Sequence, residues 1–126
     1  MEDKVMGDKR VLHIEVSSLQ ESLRQFAKVW AHAERGEAVE TYEGVGFESM
    51  AQLLATLTPK RWELLERLKQ EGPMTVYALA KSLGRDYKNV HTDVKALSEL
   101  DIVQRTKEGK IMVPWDEIEA RLRLAA

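Results

Sequence analysis

Residues 75–100 read TVYALAKSLGRDYKNVHTDVKALSEL, and the fold turns on how this run is divided. Val76, Leu79, Ala80 and Leu83 recur at helical spacing, with Thr75 placed to cap the helix N-terminus through its hydroxyl. Gly84 can adopt the left-handed conformation that ends such a helix, and Asp86 can cap the next one within two residues. The second helix, Asp86 to Leu100, carries Val90, Val94 and Leu97 as a narrow apolar stripe with Tyr87 at its edge. Two amphipathic helices joined by a short glycine turn predict a helix-turn-helix. Further along, Ile102 to Thr106 and Ile111 to Val113 flank Lys107-Glu108-Gly109-Lys110, a tip with hairpin chemistry. The stretch from Pro73 to Val113 is therefore expected to form a winged helix-turn-helix.

Opposite the apolar stripe of the second helix stand Arg85, Lys88, Asn89, Thr92 and Lys95, with His91 to one side. That mixture suits a reader of the DNA major groove. Asn pairs with adenine, Lys with guanine or phosphate, and Thr with a thymine methyl or phosphate. The N-terminal end of a recognition helix usually makes the base contacts, so Lys88, Asn89 and Thr92 are expected to read bases. Arg85, His91 and Lys95 are expected to hold the backbone, joined by Arg105, Lys107 and Lys110 of the hairpin. The competing readings are a solvated helix face and a charged edge hairpin that keeps the protein soluble. Asp93, on the flank of the helix, is expected to pair with a neighbouring cation. Glu99 lies nearly opposite the core, about three turns from the docked end.

The bulk composition agrees with a small folded protein. The chain has 126 residues, 44% of them hydrophobic, enough for a core and too many for disorder. No run of about 18 apolar residues is present to span a membrane. The polar first ten residues carry no visible signal peptide, and a cytoplasmic location is expected. Without cysteine there is no disulfide framework and no thiolate chemistry. The net charge of −2 divides unevenly. Residues 1–57 hold 6 Lys/Arg against 10 Asp/Glu, whereas residues 58–126 hold 13 against 11. Any affinity for DNA must then come from a local basic face and fall steeply with salt.

From the N-terminus, residues 1–10 read as a flexible tail. Val11 to Val16 reads as a strand, and Ser18 with Glu21 forms a capping box. The helix that follows aligns Leu19, Leu23, Phe26, Ala27 and Trp30 and ends near Gly36. Glu37 to Gly46 reads as an acidic loop, with a turn at Gly44-Val45-Gly46. Phe47 to Leu57 reads as a helix with Phe47, Met50, Leu53, Leu54 and Leu57 on one side. Thr58-Pro59 opens the next helix, whose Trp62, Leu65 and Leu68 point inward beside Leu64 until Gly72-Pro73 stops it. Phe26, Trp30 and Trp62 read as core. Trp115 reads as core or as a dimer seam. In the C-terminal segment Ile118, Ala120, Leu122 and Leu124 alternate with Glu119, Arg121 and Arg123, which favours a strand over a helix.

The expected class is mostly α (α+β): a winged helix-turn-helix with an N-terminal strand-helix extension and a C-terminal strand. The division is a tail at 1–10, a strand-helix-helix region for dimerisation or a partner at 11–57, the DNA-binding part at 58–113, and a strand available for dimer contact at 114–126. A lone strand at each end suggests that Val11–Val16 pairs with Ile118–Leu124, within one chain or between two.

Three stretches carry a family resemblance: Leu57-Thr58-Pro59-Lys60-Arg61-Trp62-Glu63-Leu64-Leu65, Gly84 through Leu97, and Val113-Pro114-Trp115-Asp116-Glu117-Ile118. With the Leu12–Val16 strand leading into a helix, they resemble a prokaryotic family of predicted transcriptional regulators with MarR-like winged-helix domains. The resemblance implies sequence-specific binding to double-stranded DNA by the helix from Asp86 to Leu100. It also implies an operon-scale role of the kind found beside toxin-like genes. Asp101 departs from the glycine common before the wing, so the path into Ile102 is expected to differ.

The expected function is that of a homodimeric DNA-binding repressor. The alternative is an antitoxin whose acidic N-terminal half covers a small basic toxin while the protein regulates its own operon. No enzyme is expected, since His13, His32 and His91 are scattered and Gly44-Val45-Gly46 lacks the lysine of a phosphate loop. No cofactor or metal is implied.

Overall fold

Three capping side chains mark out the helices around Gly84. The Oγ1 of Thr58 accepts from the Arg61 N–H at 3.3 Å, that of Thr75 from Ala78 at 3.1 Å, and the Asp86 carboxylate from Asn89 at 3.2 Å. Each cap satisfies a backbone donor that the first helical turn leaves open, worth about 1 kcal/mol. The computed structural model describes residues 9–17, 19–34, 43–122 and 124. In chain order the elements are β1 (Val11–Val16), α1 (Leu19–Glu34), β2 (Gly44–Phe47), α2 (Met50–Thr56), α3 (Pro59–Glu71), α4 (Val76–Leu83), α5 (Tyr87–Glu99), β3 (Gln104–Arg105), β4 (Ile111–Met112) and β5 (Glu117–Leu122). The fold is mixed α/β. Most of the expected tail, Ser18 of the expected capping box and residues 37–42 of the acidic loop lie outside the described residues.

The chain divides into two compact units. The first carries Thr56–Asp116. Here α4 ends at Gly84, whose φ of 66° is the left-handed turn that a side chain would strain. Its N–H and that of Arg85 return to the carbonyls of Lys81 and Ala80, closing the helix end. Leu64, Leu65 and Leu68 of α3, Leu79 and Ala80 of α4, and Val90, Val94 and Leu97 of α5 are buried. Ile102, Val103, Ile111, Val113 and Trp115 complete this core. Trp62 is 37% exposed, contrary to the inward position expected of it. The buried stripe of α3 is centred on Leu64 and Leu68, which turns Trp62 to the rim and brings Arg61 inward.

A two-stranded antiparallel hairpin follows α5, pairing Gln104 with Met112 and Arg105 with Ile111. Its tip is closed by Thr106, which bonds to Lys110 through both backbone and hydroxyl, with Gly109 at φ 82°. Met74, just before α4, bridges to Ile111 through bonds of 3.1 and 2.8 Å. That contact ties the start of the helix pair to the base of the hairpin, and no local pattern announced it. Trp115 is core: its indole N–H donates to the Asp101 carbonyl at 3.3 Å, and the Arg10 guanidinium lies 4.6 Å over its ring.

Asp101 has φ 62°, the conformation expected of a glycine, and it returns its N–H to Ser98 while Ile102 bonds to Leu97. The aspartate therefore makes the left-handed turn itself, so the expected detour before Ile102 is not needed. Asp tolerates this region better than branched residues do. Asp101→Val should cost about 1–2 kcal/mol in urea unfolding. Asp101→Gly should be nearly neutral, because relieved strain is offset by extra unfolded-state entropy.

The second unit is drawn from Val11–Ala55 and Glu117–Ala126. β1 lies between β2 and β5, parallel to both. Parallel neighbours need a crossover, and α1 lies between β1 and β2 in the chain. Gly44–Phe47 is thus a strand, correcting the turn and the helix start expected there. The His13 N–H donates to the Glu43 carbonyl and that of Ser17 to Phe47, each at 2.9 Å. Tertiary pairing overrides the poor strand propensity of two glycines. Leu12, Ile14 and Phe47 alternate onto one face of the sheet and are buried. The other face is polar, with His13 Nδ1 3.2 Å from the Glu119 carboxylate. The segment 117–122 is a strand, and it pairs with β1 inside one chain, so pairing between subunits is not how those two strands are satisfied. On α1, Leu23, Phe26 and Trp30 are 59%, 65% and 57% exposed, which corrects the core position expected of the two aromatics.

Candidate nucleic-acid interface

The outer face of α5 follows from the position of its buried stripe. Because Val90, Val94 and Leu97 point into the core, helical geometry turns Lys88, Thr92 and Lys95 outward, with Asn89 on one flank. All four are exposed, and so is His91 on the other flank. Among the described residues nothing buries this face. It offers two ammonium groups and one amide able to reach a groove, with the exposed Glu99 carboxylate on the same face at the far end of the helix.

Thr92 presents less than its side chain allows. Its hydroxyl donates to the Lys88 carbonyl at 3.1 Å, leaving the methyl group and the oxygen lone pairs outward. Methyl contact with thymine remains open to it, whereas donation to phosphate would require breaking that bond.

Arg85 is not brought to this face. Its Nη2 lies 2.8 Å from one Asp93 oxygen, while Arg61 Nε lies 3.0 Å from the other. The three side chains are only 17%, 14% and 18% exposed in the order Arg85, Asp93, Arg61. Arg61 also donates to the Thr56 carbonyl at 2.8 Å. The cation expected beside Asp93 is thus a pair, and its reach across 32 residues to Arg61 was invisible to local pattern. This arrangement withdraws Arg85 from the phosphate contact expected of it. It also neutralises the carboxylate that would have repelled DNA from this side of α5.

Two tyrosines join this face: Tyr77, which no sequence expectation names, and Tyr87, expected only at the edge of the apolar stripe. Tyr77 of α4 and Tyr87 of α5 are 66% and 48% exposed. Their ring centroids are 6.4 Å apart, and Tyr87 lies 5.8 Å from His91. The three rings make an exposed row beside the α5 face, with hydroxyls able to donate to phosphate oxygens. Both tyrosines follow their helix cap by one or two residues, and that position was the available signal.

Arg105, Lys107 and Lys110 are exposed on and beside the hairpin, a separate element from α5. Lys107 and Lys110 flank Glu108 at the tip, so the local charge is positive but diluted. In the second unit, a cleft of ≈ 80 Å³ lined by His13, Glu15, Glu119 and Arg121 is well below the size of small-molecule sites, about 300 Å³ and upward.

Residues 56–120 match the family HVO_A0114, 65 of the 126 residues and so just over half of the chain. The chain belongs to the HVO_A0114 family. The HVO_A0114 match takes in α3, α4, α5 and the hairpin, with every residue of the candidate interface, and runs into β5. It leaves out β1, α1 and β2. No curated protein and no solved structure matches the chain.

Proposed function

We propose that the chain is a sequence-specific DNA-binding transcriptional regulator, acting as a homodimeric repressor. In this reading α3–α5 and the β3–β4 hairpin are a winged helix-turn-helix of the MarR-like kind, with α5 as the recognition helix. The observation that carries it is the open outer face of α5, where Lys88, Asn89, Thr92 and Lys95 are exposed and Asp93 is neutralised behind them. Lys88 and Asn89 read base edges, Thr92 offers a methyl contact, and Lys95, His91, Tyr77 and Tyr87 hold the backbone. Arg105, Lys107 and Lys110 supply contacts from the wing.

The test is a footprint of the purified protein on the DNA upstream of its own gene. A protected site with two-fold symmetry at about 10-base-pair spacing is the expected result. No protection at low salt would overturn the proposal, since phosphate contacts are strongest there. Lys107→Ala should lower affinity for all sequences alike and reduce the salt slope by about one. A loss confined to one operator position would instead make Lys107 a base reader.

A second reading is favoured by the N-terminal part, where an acidic balance of −4 over residues 1–57 accompanies the exposed Leu23, Phe26 and Trp30. Such a surface suits a basic protein partner, as in an antitoxin. A small basic protein encoded next to this gene, co-purifying with it, would support that reading.

A further inference from the structure

We propose that two copies of the chain join through the outer edge of β5, antiparallel, about a two-fold axis at Ala120. The surface named here is where the homodimer of the proposed function would form. To that extent it rests on that reading, but it is tested without DNA.

The edge is open. In the order β2-β1-β5, β5 pairs with β1 on one side, and among the described residues no strand pairs with the other. Which groups face that edge follows from the bonding of β1. His13 and Ser17 donate toward β2, so alternation turns the backbone groups of Leu12, Ile14 and Val16 toward β5. In a parallel pair each such residue bonds to the two residues flanking its partner. Since Leu12 pairs with Ile118 and Ile14 with Ala120, the bonds to β1 use the odd-numbered residues of β5. The N–H and C=O groups of Ile118, Ala120 and Leu122 are left on the far edge, a template for another strand. The opposite edge of the sheet is poorer: β2 has four residues, two of them glycine.

The side chains specify the occupant. Residues 117–123 read EIEARLR, a palindrome in which charge reverses about Ala120. Antiparallel pairing centred there sets Ala120 against Ala120, Ile118 against Leu122 and Glu119 against Arg121. Each pair off the axis is made twice, as an isologous two-fold contact requires. Moving the centre by one residue sets Glu119 or Arg121 against its own copy, and like charges directly opposite are destabilising. A half-step slip sets apolar against charged side chains. Glu119 is 66% exposed and keeps an oxygen for Arg121 beside its contact with His13. Leu122 is 36% exposed, which such a partner would cover.

The full chain at micromolar concentration should sediment at twice its 14.4 kDa mass. Glu119→Arg and Arg121→Glu should each sediment as monomers, because each sets like charges against itself. An equal mixture of the two variants should restore the dimer, since one then offers two arginines to the other's two glutamates. That rescue cannot come from either chain's own folding. Ala120→Pro provides a second variant: it removes an outward N–H, leaves the bonds to β1 in place, and should give a folded monomer by circular dichroism. A monomeric parent chain, single variants that dimerise like the parent, a mixture that stays monomeric, or a dimeric Ala120→Pro would each overturn the proposal. Loss of the dimer with operator binding retained would separate this surface from the DNA reading.

Discussion

Asp93→Ala should destabilise the unit built on Thr56–Asp116 by about 3 kcal/mol. The carboxylate is held at 2.8 Å by Arg85 and 3.0 Å by Arg61, and all three side chains are less than a fifth exposed. Removing the anion leaves two guanidiniums close together, largely desolvated and mutually repulsive. One of them is already short of partners, since Arg85 Nη1 is buried without a hydrogen bond. Arg85→Ala should cost clearly less, because Arg61 continues to neutralise Asp93 and an unsatisfied donor is removed with the side chain. Urea unfolding of the two variants measures the difference. A loss below about 1 kcal/mol for Asp93→Ala would place this trio with ordinary surface ion pairs and discard its structural role. The same pair of variants bears on DNA. Arg85→Ala should leave operator affinity close to that of the parent, because its guanidinium is committed to Asp93.

Lys88→Ala and Asn89→Ala should each weaken operator binding by about 1–3 kcal/mol, roughly 5- to 150-fold. Both side chains stand exposed at the start of α5, and Asn89 uses only its backbone N–H for the Asp86 cap. The amide is thus free to pair with a base while the helix start stays intact. The loss should be specific: affinity for unrelated DNA should change little for Asn89→Ala and modestly for Lys88→Ala, which also removes a charge. Gel-shift titrations on the footprinted operator and on scrambled DNA separate the two effects. Thr92→Val should be well tolerated, because the Thr92 hydroxyl already donates to the Lys88 carbonyl and the methyl surface survives. Unchanged operator affinity in an Asn89→Ala, Thr92→Ala double variant would show that α5 does not read the sequence.

Much of the helical framework that carries the candidate surface was legible because it depends on local periodicity. The caps at Thr58, Thr75 and Asp86, the left-handed turn at Gly84 and the inward stripe of α5 each involve residues within a few positions of one another. Short-range chemistry of that kind reads directly from sequence. The placing of Lys88, Asn89 and Thr92 on one exposed side needed nothing more. Arg85 was misread because its partner is selected by packing. The turn after Gly84 and the α3 stripe together bring Arg85 and Arg61 onto the same carboxylate. Likewise, Gly44–Phe47 has no strand signature; it becomes one by lying beside β1.

By itself, then, the order of residues determined where the helices of Thr56–Asp116 begin and end, which faces of α4 and α5 turn inward, and that 117–122 alternates as a strand. Only the tertiary structure decided that β1 pairs with β5 in the same chain, that β2 exists, that Met74 bridges to Ile111, and that Asp93 is shared by two arginines. The physical reason is range. A helix is closed by bonds between residues three or four apart, whereas a parallel strand or a buried ion pair takes its partner from distant sequence that only the folded core brings near.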